Sequence, residues 1–249
     1  MTRTTNARLA GFVFLVYIAT GVASMVLSGQ ATSGAEGTAA KLASIAQHAS
    51  LVRVNIVLTL LQAAYALVLA VTLYALTRDQ DPELAVMALC CRVSEGVIAA
   101  IAPLRMLALL SVATASTAAA GADAAAANAL GAVLLEMGGW AGIIAATCFA
   151  VGSTLFSYLF LRARSIPVPL AWLGVLASVL LVVALPLQLA GFLRGPVTSF
   201  IWIPMLVFEV ALALWLLIKG VATPATRPNP GEASASSRPS RAPDRPASA

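Results

Sequence analysis

Arg92, Glu95 and Glu209 are the residues whose type and setting could do chemistry, because each interrupts an otherwise apolar run. Ionisable side chains at membrane depth are costly and face a bundle interior or a water-filled cavity. Arg92 and Glu95 are three residues apart, so on a helix they share a face. Arg92 lies about eight residues into its run and Glu95 about eleven, while Glu209 lies about nine from the end of its own; at 1.5 Å per residue all three sit at a similar depth, roughly 12–16 Å. An arginine bridging both acids would be neutralised with one carboxylate to spare. The chemistry this allows is a polar site for a substrate, an ion or a proton. The competing reading is a clasp between the third and sixth spans, and it is the simpler one, because one arginine and two carboxylates can satisfy each other.

A second pair of charges is expected toward the outer side. Arg105 lies about twenty residues along the same run as Arg92, far enough to snorkel to headgroups. Glu136 precedes Gly138-Gly139, and on the same outer side it is a natural partner for Arg105. Both read as interface anchors.

Other chemistries find no residues. His48 is the only histidine, whereas bis-histidine haem, ferritin-like carboxylate sites and helix-borne zinc sites need at least two. Cys90, Cys91 and Cys148 all fall inside apolar runs and read as small buried hydrophobes. No Cys-x-x-Cys, Gly-x-Ser-x-Gly or phosphate-binding loop occurs in the sequence, so the familiar nucleophile and phosphate signatures are missing. No catalytic, metal or cofactor residue is assigned, and no recognised constellation supports an enzyme.

The elements that must position these charges follow from composition. Of 249 residues 60% are hydrophobic, only 10% are charged, and the mean hydropathy is +0.93. Soluble domains carry about 25% charge, so the solvent here is a lipid bilayer. Runs of about 20 apolar residues suffice to span it, and six are expected: Leu9–Leu27, Val54–Leu76, Leu84–Val112, Trp140–Leu161, Pro169–Phe192 and Ser199–Ile218. The first run exceeds a signal peptide's apolar core of about 7–15 residues, so it reads as a retained helix. An amphipathic stretch over Lys41–His48 is placed at the membrane interface. Pro103 should kink the third span. From Ala124 to Leu161 one helix would measure about 55–60 Å, so a division at Gly138-Gly139, with a surface helix before it, is expected. Gly142, Ala145, Ala146, Gly152 and Ser153 read as small residues that let helices approach, and the four tryptophans as an interfacial belt.

The fold class is therefore an all-α polytopic membrane bundle over residues 1–221. Residues 222–249, rich in Pro, Ser, Ala and Arg, cannot bury a core and read as a disordered tail. Basic residues flank apolar runs rather than forming a patch with exposed aromatics, so no nucleic acid is expected despite the net charge of +5. With the N-terminus inside, cytoplasmic segments hold Arg3, Arg8, Arg78, Arg162, Arg164, Lys219, Arg227, Arg238, Arg241 and Arg245, against Lys41, Arg53 and Arg194 outside. Such an excess marks the cytoplasmic side and puts both termini there.

Several motifs also carry a resemblance. They are Ala7-Arg8-Leu9-Ala10-Gly11, Arg92-x-x-Glu95-Gly96, Tyr158-Leu159-x-x-Arg162, Ile166-Pro167-x-Pro169-Leu170-Ala171-Trp172-Leu173-Gly174, and the closing run from Glu209 to Gly220. In this order and spacing the chain resembles the bacterial multi-pass family known as domain of unknown function 4386, over about residues 7–221. Members often carry an arginine where Val168 stands here, so this chain has one cytoplasmic charge fewer there. The resemblance implies a kept first helix and a place in the bacterial cytoplasmic membrane, and it brings no activity. Two functions remain. One is binding or moving a small molecule or ion at the Arg92, Glu95 and Glu209 site. The other is a non-catalytic scaffold or stress-related accessory protein in which those charges are structural.

Overall fold

The computed structural model describes residues 2–33, 35–117 and 120–221. These form α1 (Arg3–Thr32), α2 (Gly37–Gln47), α3 (Ala49–Thr77), α4 (Pro82–Ser116), α5 (Ala122–Ala163), α6 (Val168–Leu189), the four-residue α7 (Val197–Phe200) and α8 (Ile203–Ile218), with no strand among the described residues. α1, α3, α4, α5, α6 and the α7–α8 stretch Val197–Ile218 are each long and apolar enough to cross a bilayer. The expected disordered tail, 222–249, lies outside the described residues.

Local chemistry sets the starts. Thr2 caps α1 by accepting the amide of Thr5 at 3.2 Å, satisfying one of the donors a helix leaves free at its N-terminus. Asp81 caps α4 by accepting the Leu84 amide at 3.2 Å, with Pro82 in the first turn, where its missing N–H costs nothing.

Consecutive spans pack side by side, α1 on α3, α3 on α4, α4 on α5 and α5 on α6, and α8 closes the circuit by packing on both α6 and α1. The six spans therefore form a ring whose interior is the core, including Phe14, Leu69, Leu159, Phe160, Leu181, Met205 and Leu216. The closing contact needs a glycine. A Cβ at Gly11 would stand 2.6 Å from both the Ala213 carbonyl oxygen and the Leu217 nitrogen, so backbone meets backbone there, as small residues permit in membranes.

Charges knit one end of the ring. Arg3 pairs with Asp79 at 3.3 Å and donates to the Leu76 carbonyl at 3.1 Å, while Arg162 pairs with Asp81 at 3.0 Å. These link the start of α1 and the end of α5 to the α3–α4 turn. They are partly solvated, so each contributes at most about 1 kcal/mol.

Two expectations need correction. α5 is one helix of 42 residues, about 63 Å long, and is not divided at Gly138-Gly139. Its first half runs along the second half of α4, where Leu134 and Leu135 pack on the cluster holding Leu109 and Leu110. There Arg105 lies flat against Gly138, and the intrahelical bonds need no break at glycine. α2 packs on the bundle through one face. Its Leu42 and Ile45 are buried, Leu42 against Gly131, in a second core with Ala31, Val52, Leu109, Leu110 and Ala113. The long helices thus carry, at the end of the ring away from Arg3, a separate lobe capped by α2, called the outer lobe after its expected side.

The cysteines are not core residues either. Cys90 is exposed on the bundle surface, and Cys91 and Cys148 are partly so. Lipid solvates a thiol as readily as a core does, so nothing drives these side chains inward. Of the small residues on α5, Gly152 makes a tight approach to α4, whereas Gly142 has open space around it. Pro103 sits inside α4 without ending it.

These packings separate two glycines. Gly11→Ala should lower the unfolding free energy in detergent by about 1–3 kcal/mol through overpacking. Gly139→Ala, with open space beside it in a continuous helix, should be neutral or stabilising by up to about 1 kcal/mol. Thermal or denaturant unfolding of the two variants checks this. A strongly destabilised Gly139→Ala would contradict an unbroken α5.

Candidate functional site

The ring interior holds the charges that the sequence singles out. Arg92 is 1% exposed, Glu95 5% and Glu209 8%. One turn of α4 brings Arg92 and Glu95 to one face, with Nη1 of Arg92 2.9 Å from Oε2 of Glu95. The pair is close but poorly aligned for hydrogen bonding. Neither Nε nor either Nη of Arg92, nor Oε2 of Glu95, has a hydrogen-bond partner among the described residues.

Room for the arginine comes from α5. A Cβ at Gly152 would stand 2.9 Å from Cγ of Arg92 and 3.1 Å from the Ala88 carbonyl oxygen, so only glycine lets the arginine stem pass. One turn away, the Phe149 ring faces the guanidinium, with its centroid 4.7 Å from Cζ. A cation over an aromatic face in a desolvated setting is stabilised by up to about 2 kcal/mol. Phe149 in turn stacks on Trp202, centroids 6.3 Å apart, so Trp202 supports the site rather than serving simply as an interfacial belt residue.

α1 completes the acid side. The Tyr17 hydroxyl donates to Oε1 of Glu95 at 2.9 Å. Glu95 thus receives a phenol on one oxygen and a guanidinium on the other, a charge-assisted arrangement. Glu209 enters from α8, within electrostatic reach of Arg92, Glu95 and Tyr17. It forms no hydrogen bond or ion pair with any described residue, so the expected bridge from Arg92 to both acids is made on the Glu95 side alone. Rigid helices at fixed spacing explain the difference, because the arginine turns to its own-helix neighbour and the phenylalanine ring occupies another side.

Tyr17, Phe149 and Gly152 were not singled out from the sequence. The tyrosine hydroxyl in mid-span was a usable signal, since a buried phenol needs a partner. Phe149 and Gly152 look like any apolar residue and any packing glycine.

The outer pair is arranged differently from expectation. Arg105 does not meet Glu136. Its Nη1 donates to the Leu134 carbonyl at 3.0 Å, and the guanidinium lies on Gly138. Glu136 is exposed, and it lines a separate surface recess beside Arg194 and Gln188. Helix phase accounts for this, because Leu134 and Gly138 are one turn apart on α5, whereas Glu136 falls between them on the other side.

Compared with known proteins, residues 9–220 match the model of one family, described as "Domain of unknown function (DUF4386)". No curated protein matches, and no solved structure matches.

The geometry sets an order among substitutions. Arg92→Leu strands Glu95 and should destabilise by about 3–5 kcal/mol. Adding Glu95→Leu should recover much of that loss, because the orphaned partner is gone. Tyr17→Phe should cost about 1–3 kcal/mol, since it leaves a buried carboxylate short of one donor. A double-mutant cycle on unfolding in detergent measures all three. Strictly additive Arg92 and Glu95 effects would contradict the pairing.

Proposed function

The chain belongs to the domain of unknown function 4386 family, and on that premise we propose that it is a multi-pass protein of the bacterial cytoplasmic membrane that binds or moves a small ion through the polar site around Arg92, Glu95 and Glu209. The observation that carries this reading is charge imbalance. One guanidinium faces two carboxylates in a setting shielded from solvent, and Glu209 has no partner among the described residues. A net negative charge at low dielectric is costly and is relieved by a proton or a small cation. The three guanidinium nitrogens without hydrogen bonds leave the charge of Arg92 incompletely answered by the protein, which a proton or small cation at the two acids would rebalance.

The clasp is the second reading, and a specific observation favours it too. Arg92, Glu95, Tyr17 and Phe149 join three helices through an ion pair, a phenol and a ring face, which is what a structural tie between α1, α4 and α5 needs. In a scaffold or accessory protein that tie would be the whole role of the cluster.

Proteoliposomes under an imposed membrane potential separate the two. Parent protein is expected to carry protons or monovalent cations, and Glu209→Gln should cut the rate by about tenfold or more, a barrier change of about 1.4 kcal/mol. Flux no greater than in empty vesicles, together with thermal stability indifferent to sodium, potassium and lithium, would overturn the ion-handling reading in favour of the clasp.

Orientation is part of the same proposal, with both termini cytoplasmic on the strength of the flanking basic residues. Single cysteines at Ser33 and Thr117, both exposed at the end of the ring away from Arg3, should react with a membrane-impermeant maleimide in intact cells once the native cysteines are replaced. Labelling only after the membrane is opened would reverse the orientation.

A further inference from the structure

The outer lobe holds a cavity of about 270 Å³ between α1, α2, α3, α4 and α5. It lies near the small end of ligand-pocket sizes. Its walls are mainly apolar, with Leu27, Ile45, Val52 and Leu109 among them, and Arg105 stands in the wall. The other polar wall residue with strong capacity, Asn55, is already spent. Its Nδ2 donates to Ser28 Oγ at 2.7 Å, and its Oδ1 accepts from Ser24 Oγ at 2.6 Å.

Arg105 is not spent. Nη1 is used on the Leu134 carbonyl and Nε is enclosed by protein without an acceptor, whereas Nη2 makes no hydrogen bond to any described residue and remains accessible. No carboxylate among the described residues comes within ion-pair distance of it, and the expected partner Glu136 lies in another recess. The glycine pair suits this arrangement. Gly138 lets the guanidinium lie on the α5 backbone, and Gly139, the next wall position, leaves open space. An uncompensated guanidinium fork at the wall of an apolar chamber is complementary to an oxyanion carried on an apolar body, because the planar fork holds a carboxylate or phosphate with paired hydrogen bonds.

We propose that the outer-lobe cavity binds an amphipathic oxyanion, with its head on Arg105 and its apolar body against Ile45, Val52 and Leu109. The same chemistry is offered by a free aliphatic acid and by the headgroup of an anionic lipid. This site is distinct from the charges in the ring interior and does not depend on their role.

The test titrates octanoate into purified full-length protein in neutral detergent and reads the thermal midpoint. Octanol, with the body but no charge, and acetate, with the charge but no body, serve as comparisons. Octanoate should raise the midpoint saturably, while octanol and acetate should not. Arg105→Gln should weaken octanoate binding by about tenfold or more. In nanodiscs, phosphatidylglycerol that displaces octanoate identifies the lipid headgroup as occupant, and octanoate binding indifferent to phosphatidylglycerol identifies the free acid. Equal effects of octanol and octanoate on the parent would overturn the proposal, even if the variant does not fold. Unchanged octanoate binding by folded Arg105→Gln would overturn it as well.

Discussion

The guanidinium of Arg92 is 1% exposed inside a ring of apolar helices, and a full charge so placed must be met from every side. Around it the structure supplies Glu95 from the next turn of α4, the face of Phe149 from α5, and the absence of a side chain at Gly152. The carboxylate that answers it must be met in turn, and Tyr17 of α1 does so. Three of the six spans are thus set in relation to one another by a single cation. α8 adds Glu209 to this neighbourhood and is held against α1 by the backbone approach at Gly11. Apolar side chains in lipid have little hydrophobic reason to choose one helix neighbour over another, so interactions of this kind weigh heavily in deciding the ring order.

The molecule has two levels with different physics. The ring interior is organised by buried charge, whereas the outer lobe is organised by a small apolar core under α2, with Leu42 seated on Gly131. Arg105 stands in the wall of that lobe's cavity and takes no part in the charge network of the ring interior. Its carbonyl partner and its bed on Gly138 orient it without neutralising it. That contrast separates a cation already paired within the protein from one with unspent donors and no counter-charge among the described residues.

The helical, six-span character was legible in the sequence because it rests on run length and the scarcity of charge, both one-dimensional quantities. Arg92 and Glu95 were legible as a pair because helix geometry puts positions three apart on one face. What could not be read depended on neighbours distant in sequence. Whether Gly138 breaks α5 or receives Arg105 depends on α4 lying beside it, and the length of α5 beyond what one span needs depends on the outer lobe. The same holds for Arg105 and Glu136, whose separation is set by helix phase against a second helix. Tyr17 lies 78 positions from Glu95, and no spacing rule connects them.

On the ion-handling proposal, a non-protein species near Arg92 and Glu209 completes the charge balance. The most direct measurement is an experimental density map of the full chain in a lipid nanodisc, at a resolution that shows ordered water and ions. The expected result is a discrete density within hydrogen-bond or ion-coordination distance of the Glu209 carboxylate. A map with Glu209 and Arg92 surrounded by protein atoms alone, or with Glu209 turned away to lipid, would contradict ion handling at this site.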